Sequence, residues 1–249
     1  NCGYGLPGDE LAYIKIQSGS PSLSNNFVSI YPALKIGDQF LPGVDGWQYA
    51  NETWTYVSAN SFRVSGDARK KYKTGRKIRL KQSSSVKYFY VVSSSYSSPN
   101  TTVTITAGSD YTLTNTTISE NYISSVDPDD FPTYFNWTPT LTGFSVAPGS
   151  SVYRFTIFGT RFEGVIHQGT DGTSNLNSLN ISLPITAKSG GSWGGANGIA
   201  INNGAALTGA SRWYIGGGNN YAQFMTDMYT GAWATINGKR VRAIVSCEI

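Results

Sequence analysis

Histidine is nearly missing: His167 is the single one in 249 residues. Cysteine and methionine occur twice each. That supply is poor for a zinc site, which needs three or four protein ligands. A Ser–His–Asp triad would have to use His167, and no Gly-x-Ser-x-Gly elbow accompanies it. Charge is scarce too, at 14% of residues, against about a quarter in an average globular chain. The net charge of +4 is too small to argue for nucleic acid by itself. Apolar runs stop well short of the ~20 residues a membrane-spanning helix needs, so no membrane insertion is expected. No catalytic residue, cofactor or metal ligand is expected either.

What the chain has instead is glycine, tyrosine and small hydroxyl side chains. It carries 28 Gly and 16 Tyr, and aromatics reach 13%. Aromatics at that level can build a core, so the low charge is not read as disorder. β-Branched and aromatic residues alternate with Ser, Thr and Lys, with a period of two. That pattern puts one set of side chains in a core and the other in water, as antiparallel strands do. Strands are expected at Thr53–Ser58, Ser61–Ser65, Lys77–Gln82, Val86–Ser94, Thr101–Thr106 and Ile118–Ile123. Within Lys77–Gln82 (KIRLKQ), Ile78 and Leu80 should face one way and Lys77, Arg79 and Lys81 the other. Ala68–Lys73 (ARKKYK) reads as a single helical turn.

Residues 1–46 are rich in Gly, Pro and Ser and read as an N-terminal arm or small subdomain, with strand candidates at Leu11–Gln17 and Phe27–Leu34. Residues 47–140 read as a β module ending in a connector. Pro128, Pro132, Pro139 and Pro148 keep the connector region out of a central strand. Its aromatics Phe131, Tyr134, Phe135 and Trp137 should pack it on a neighbouring surface. Residues 141–249 read as a second module, with strands at Ser151–Phe158, Arg161–His167, Asn180–Pro184, Gly198–Asn202, Ala210–Ile215, Gln223–Met228 and Arg240–Glu248. Gly190–Gly195 and Gly216–Asn220 read as turns between them. The expected fold is all-β: two antiparallel β-sandwich or barrel-like, jelly-roll-like modules with an N-terminal arm. Cys2 and Cys247 sit at opposite ends of the chain. A disulfide between them would close nearly all of it, worth roughly 4–5 kcal/mol. Free or intermolecularly paired thiols are the other reading.

The stretch from Asp45 to Asn115 resembles a β-rich module of tailed-bacteriophage and prophage structural proteins: tail fibre, minor tail and receptor-binding proteins. The residues that carry the resemblance are the ETWTY opening, the SGD turn, KIRLKQ, VKYFYV, SPNTTVT and the linker-like FPTYFNWTPT. The second half is similar to the module that often follows, through RFEGVIHQGTDGTS, LNISLP and GAWATINGKRV. Large bacterial surface proteins carry such modules too. The resemblance implies a virion structural protein, most readily a tail fibre, tail tip or receptor-binding appendage. It implies identical subunits as partners, commonly in a trimer, beside other virion proteins and a host cell-surface glycan or protein. It brings no catalytic residues. A bacterial extracellular filament or adhesin, a capsid decoration protein and a glycan depolymerase are the alternatives.

Three groups of residues invite a site. Arg69, Lys70, Lys71, Lys73, Arg76, Lys77, Arg79 and Lys81 make a local run of positive charge. It suits an anionic partner or, more simply, a solvated sheet face whose lysines discourage edge pairing. Nucleic acid is not expected there, since no reading motif accompanies the charge. Trp193, Trp213, Tyr214, Tyr221, Tyr229 and Trp233 lie near turns and suit glycan stacking or, more simply, core and subunit contact. Asp127, Asp129 and Asp130 could hold Ca²⁺, but they lack a spaced ligand loop and read better as a turn.

Overall fold

The alternation read in the sequence becomes antiparallel sheet among the described residues. The computed structural model describes residues 35–36, 39–40, 45–202, 204–206, 211–225, 233 and 237–249. Among them there is no helix, and every strand pairing is antiparallel. The all-β fold is therefore the observed one. The strand candidates Leu11–Gln17 and Phe27–Leu34 lie outside the described residues. A short ladder joins β1 (Lys35–Ile36) to β2 (Gln39–Phe40).

The first module is one seven-stranded sheet. Its strands are β3 (Gln48–Tyr49), β4 (Thr55–Ser58), β5 (Ser61–Ser65), β6 (Lys77–Gln82), β7 (Ser85–Ser97), β8 (Asn100–Thr106) and β9 (Ser119–Ser124). They lie in the order β3-β9-β6-β7-β8-β5-β4. Laid flat, the two edge strands would be about 29 Å apart. Yet β3 and β4 are consecutive, and the link from Tyr49 to Thr55 reaches at most about 21 Å. The sheet must curl toward closure. Trp54, on that short link, turns into the curl: it is buried and stacks on Phe62, with centroids 4.3 Å apart. Full burial of so large a side chain is worth about 2–3 kcal/mol.

The second module uses the same device. Its strands are β10 (Phe135–Asn136), β11 (Leu141–Thr142), β12 (Phe144–Val146), β13 (Val152–Phe158), β14 (Arg161–His167), β15 (Gly172–Ser174), β16 (Leu179–Ser182), β17 (Ser192–Asn202), β18 (Ala205–Ala206), β19 (Ser211–Gly216), β20 (Tyr221–Met225) and β21 (Asn237–Glu248). The main path runs β10-β13-β14-β21-β17-β19-β20-β16-β11. Consecutive strands β10 and β11 again stand at opposite edges, so this sheet also folds back on itself. Trp137 lies on the link. Its backbone N–H donates to Tyr153 O at 3.0 Å, and its Nε1–H donates to Ser182 O at 3.0 Å, on the far side of the roll.

Phe131, Phe135 and Trp137 pack the connector inward, while Tyr134 stays exposed. A run of rings crosses the junction. Phe131 lies 4.9 Å from Tyr90 and 5.7 Å from Phe135, Phe135 lies 5.9 Å from Phe155, and Phe155 lies 5.7 Å from Phe162. Tyr90 and Thr156 hydrogen-bond across the same seam at 3.1 Å. The two modules thus share one continuous core.

The second module differs from expectation at Gly190–Gly195, read above as a turn. Residues 192–195 are strand, the start of β17. Glycine is used there for packing. A Cβ at Gly191 would stand 2.6 Å from the Trp193 ring, and one at Gly195 would stand 2.9 Å from the Trp213 ring. The Ala68–Lys73 turn is present as a single hydrogen-bonded turn, Tyr72 N–H donating to Ala68 O at 3.0 Å.

Candidate functional site

Strand β6 carries the positive charge outward, as its period demands. Ile78, Leu80 and Gln82 are buried, and Lys77, Arg79 and Lys81 are half-exposed. The antiparallel register then decides what lies beside them. Arg79 pairs with Tyr122 of β9 on one side and Tyr88 of β7 on the other, and Tyr122 pairs with Tyr49 of β3. One row across four strands therefore reads Tyr49, Tyr122, Arg79, Tyr88.

Ring stacking organises this row. The Arg79 guanidinium lies 4.3 Å from the Tyr122 centroid and 5.2 Å from that of Trp47. Contacts of this kind are worth about 0.5–2 kcal/mol, more as water is excluded. Trp47 is held in place from outside the sheet: its Nε1–H donates to Asp129 O at 3.0 Å and its backbone N–H to Asp45 Oδ1 at 3.1 Å. Tyr49 meets Tyr122 edge-on at 5.5 Å and remains 40% exposed. Lys77 stands over Phe131, 4.9 Å from its centroid.

The charge run is largely neutralised by the fold. Arg69 pairs with Asp67 (2.7 Å), Lys71 with Glu52 (2.8 Å), Lys77 with Asp127, Arg79 with Asp45 (3.9 Å) and Lys81 with Glu120 (2.8 Å). Four of those acids come from distant sequence, which is why the run looked uncompensated. Among the described residues, Lys70, Lys73 and Arg76 make no ion pair. Burial holds Arg76 below the usual arginine range. The Arg69 guanidinium beside Asp67 lowers that carboxyl to about 2. The arrangement offers flat rings and paired, fixed charges rather than a broad positive field. Such a strip can stack on a saccharide ring or a planar side chain while donating hydrogen bonds.

The other candidate residues disperse. Trp213 and Trp233 are core, and the Trp233 indole donates to Phe224 O at 2.8 Å. Trp193 is half-buried against that core. Tyr214 and Tyr221 stay half-exposed on the outer face, with Arg212 5.8 Å from the Tyr214 ring. Tyr229 lies outside the described residues. Asp127 serves Lys77 and Asp129 serves Trp47 through its carbonyl, and no group of metal-ligating residues forms among the described residues. His167 ends β14, exposed, opposite Arg242.

Cys247 is buried opposite Phe162 and has no disulfide partner among the described residues, outside which Cys2 lies. Burial pushes the Cys247 thiol up to about 12, and burial likewise pushes the Tyr111 phenol up to about 12. Both groups favour the neutral form when folded. Their stabilisation is complete below the unfolded values, about 9 for the thiol and about 10 for the phenol. It is lost as pH rises toward about 12, because the unfolded chain gives up protons first. Denaturation midpoints should therefore fall above about pH 9, at up to about 1.4 kcal/mol per pH unit for each group. In a Cys2→Ser chain, Cys247 should resist a thiol reagent until denaturant is added. Rapid labelling of the native chain would contradict the burial.

Two features escaped the sequence reading. The Tyr72 hydroxyl donates to Glu52 and accepts from the Trp54 indole at 2.7 Å, tying the 66–76 loop to the closing link. Lys239 is wholly buried, donating to Asn202 Oδ1 beside the Trp233 ring. Neither has a local signature, since each partner arrives from another strand or loop.

No protein-family model matches this chain, and no curated protein or solved structure matches it.

Proposed function

We propose that this chain is a structural and adhesive subunit of a tailed-phage virion, set in a tail fibre, tail tip or receptor-binding appendage. The observation that carries the reading is the ring seam from Phe131 to Phe162. It joins two curled sheets through one core, so force applied to either module is transmitted without a flexible linker. That suits an appendage that must stay rigid while it holds a surface. The resemblance of residues 45–115 to phage tail modules supports the same reading. The Tyr49–Tyr122–Arg79 row supplies the contact, weak per copy and multiplied by repetition.

The test is gold-labelled antibody against the folded protein, imaged on particles from the culture that makes it. Label at the tail supports the proposal. Label on cell-surface filaments with bare particles would replace it with the adhesin reading, and label over the head with a decoration role.

A further inference from the structure

The outer face of the second module carries an apolar patch that the described residues leave uncovered. Register fixes its layout. Val165 of β14 stands directly opposite Ile244 of β21, and Ile199 of β17 stands opposite Arg242, one outward step along β21 from Ile244. Val152 of β13 continues the patch diagonally, since it faces His167, one outward step from Val165. Ile199 is 57% exposed and Ile244 46%. Val165 and Ile244 thus adjoin directly, and Val152 and Ile199 reach them diagonally from the next row, where His167 and Arg242 stand between those two.

The rows beside the Val165–Ile244 pair carry both signs of charge. His167 and Arg242 lie on one side of the Val165–Ile244 pair, and Glu163 and Ser246 lie on the other. Arg154 flanks Val165 and stacks over Tyr134 at 5.0 Å. Among the described residues, Glu163, Arg154 and Arg242 make no ion pair, in contrast to the paired cations of the first module.

We propose that this face, centred on Ile244, is a two-fold contact between copies of this chain. In a self-complementary contact, residue i of one copy meets j of the other and j meets i. An in-plane axis through the Val165–Ile244 pair, at right angles to the Arg242–Glu163 diagonal, sets Arg242 against Glu163 of the second copy. Arg242 then comes within reach of the partner's Glu163, and the two unpaired charges satisfy each other twice. The size of the face sets the strength. Seven paired residues on each of β13, β14 and β21, with three more on β17, cover about 390 Å², so a pair buries about 780 Å². Stable complexes bury about 1,200–2,000 Å², which places this contact among weak ones. The inference rests on the reading that the chain works as repeated copies, where a weak contact suffices.

Sedimentation velocity from micromolar to millimolar protein tests it. Wild type should show reversible association that rises with concentration within that range. Ile244→Lys should stay monomeric over that range while keeping the wild-type melting curve, because the side chain it replaces is exposed. Glu163→Arg and Arg242→Glu should each weaken association about tenfold, and the double exchange should restore it. A monomer at every concentration overturns the proposal, as does association indifferent to Ile244→Lys or singles not rescued by the double. A monomer in solution together with gold label on the tail would remove this contact and leave the virion reading standing.

Discussion

Phe135→Ala should lower stability by about 3–5 kcal/mol, the range for emptying a buried aromatic site. Phe135 is 1% exposed and touches the rings of Tyr90, Tyr111, Phe131 and Phe155. Those rings belong to both modules, so the cavity opens on the seam itself. The shape of unfolding should change as well as its midpoint. Wild type should melt in one calorimetric transition, because the core is continuous. The variant should show two, one for each sheet, once the coupling is weaker than either module. A single transition with less than about 1 kcal/mol lost would mean that the seam does not couple them.

Gly75→Ala should be nearly as damaging, through backbone rather than side chain. Gly75 has φ +80°, and a Cβ there would stand 1.8 Å from Gly159 O, where the first module's loop meets the β13–β14 turn. Gly159 is the built-in comparison. It has φ +58° and open space around its missing Cβ. Gly159→Ala should cost only the left-handed strain, about 1–2 kcal/mol. Gly75→Ala carries the same strain and must also push the two modules apart, for about 1–3 kcal/mol more. Urea titration of both variants isolates the difference. Equal losses would show that this approach between modules is not tight.

Period-two patterning made most strands readable. Ser61–Ser65, Lys77–Gln82 and Arg161–His167 have the expected bounds, and the inward and outward sides of β6 are as read. The two-residue strands β3, β10 and β11 were not readable, because two residues carry no period. They matter greatly, since they form edges whose nearness to the next strand curls each sheet. The Ser192–Gly195 start of β17 was hidden by glycine, whose role there is to admit indole rings. The candidate site was legible only in part. Arg79 was visible as a charge, but its neighbours Tyr49, Tyr122 and Trp47 come from elements that only register brings together. Local counting could not find Asp45, Glu120 or Asp127 as partners of the basic run, so the charge looked freer than it is.

The place of β21 bears on how the chain is made. It lies between β14 and β17, and the strands on either side of it meet along the sheet only through it. On the ribosome, twelve residues synthesised after every other described strand must arrive before the second module can close. Until then the inward faces of β14 and β17 have no neighbour along that seam, at sequence separations that make pairing slow. Half-made chains would therefore be sticky, and expression should favour a chaperone that shields them until β21 is made.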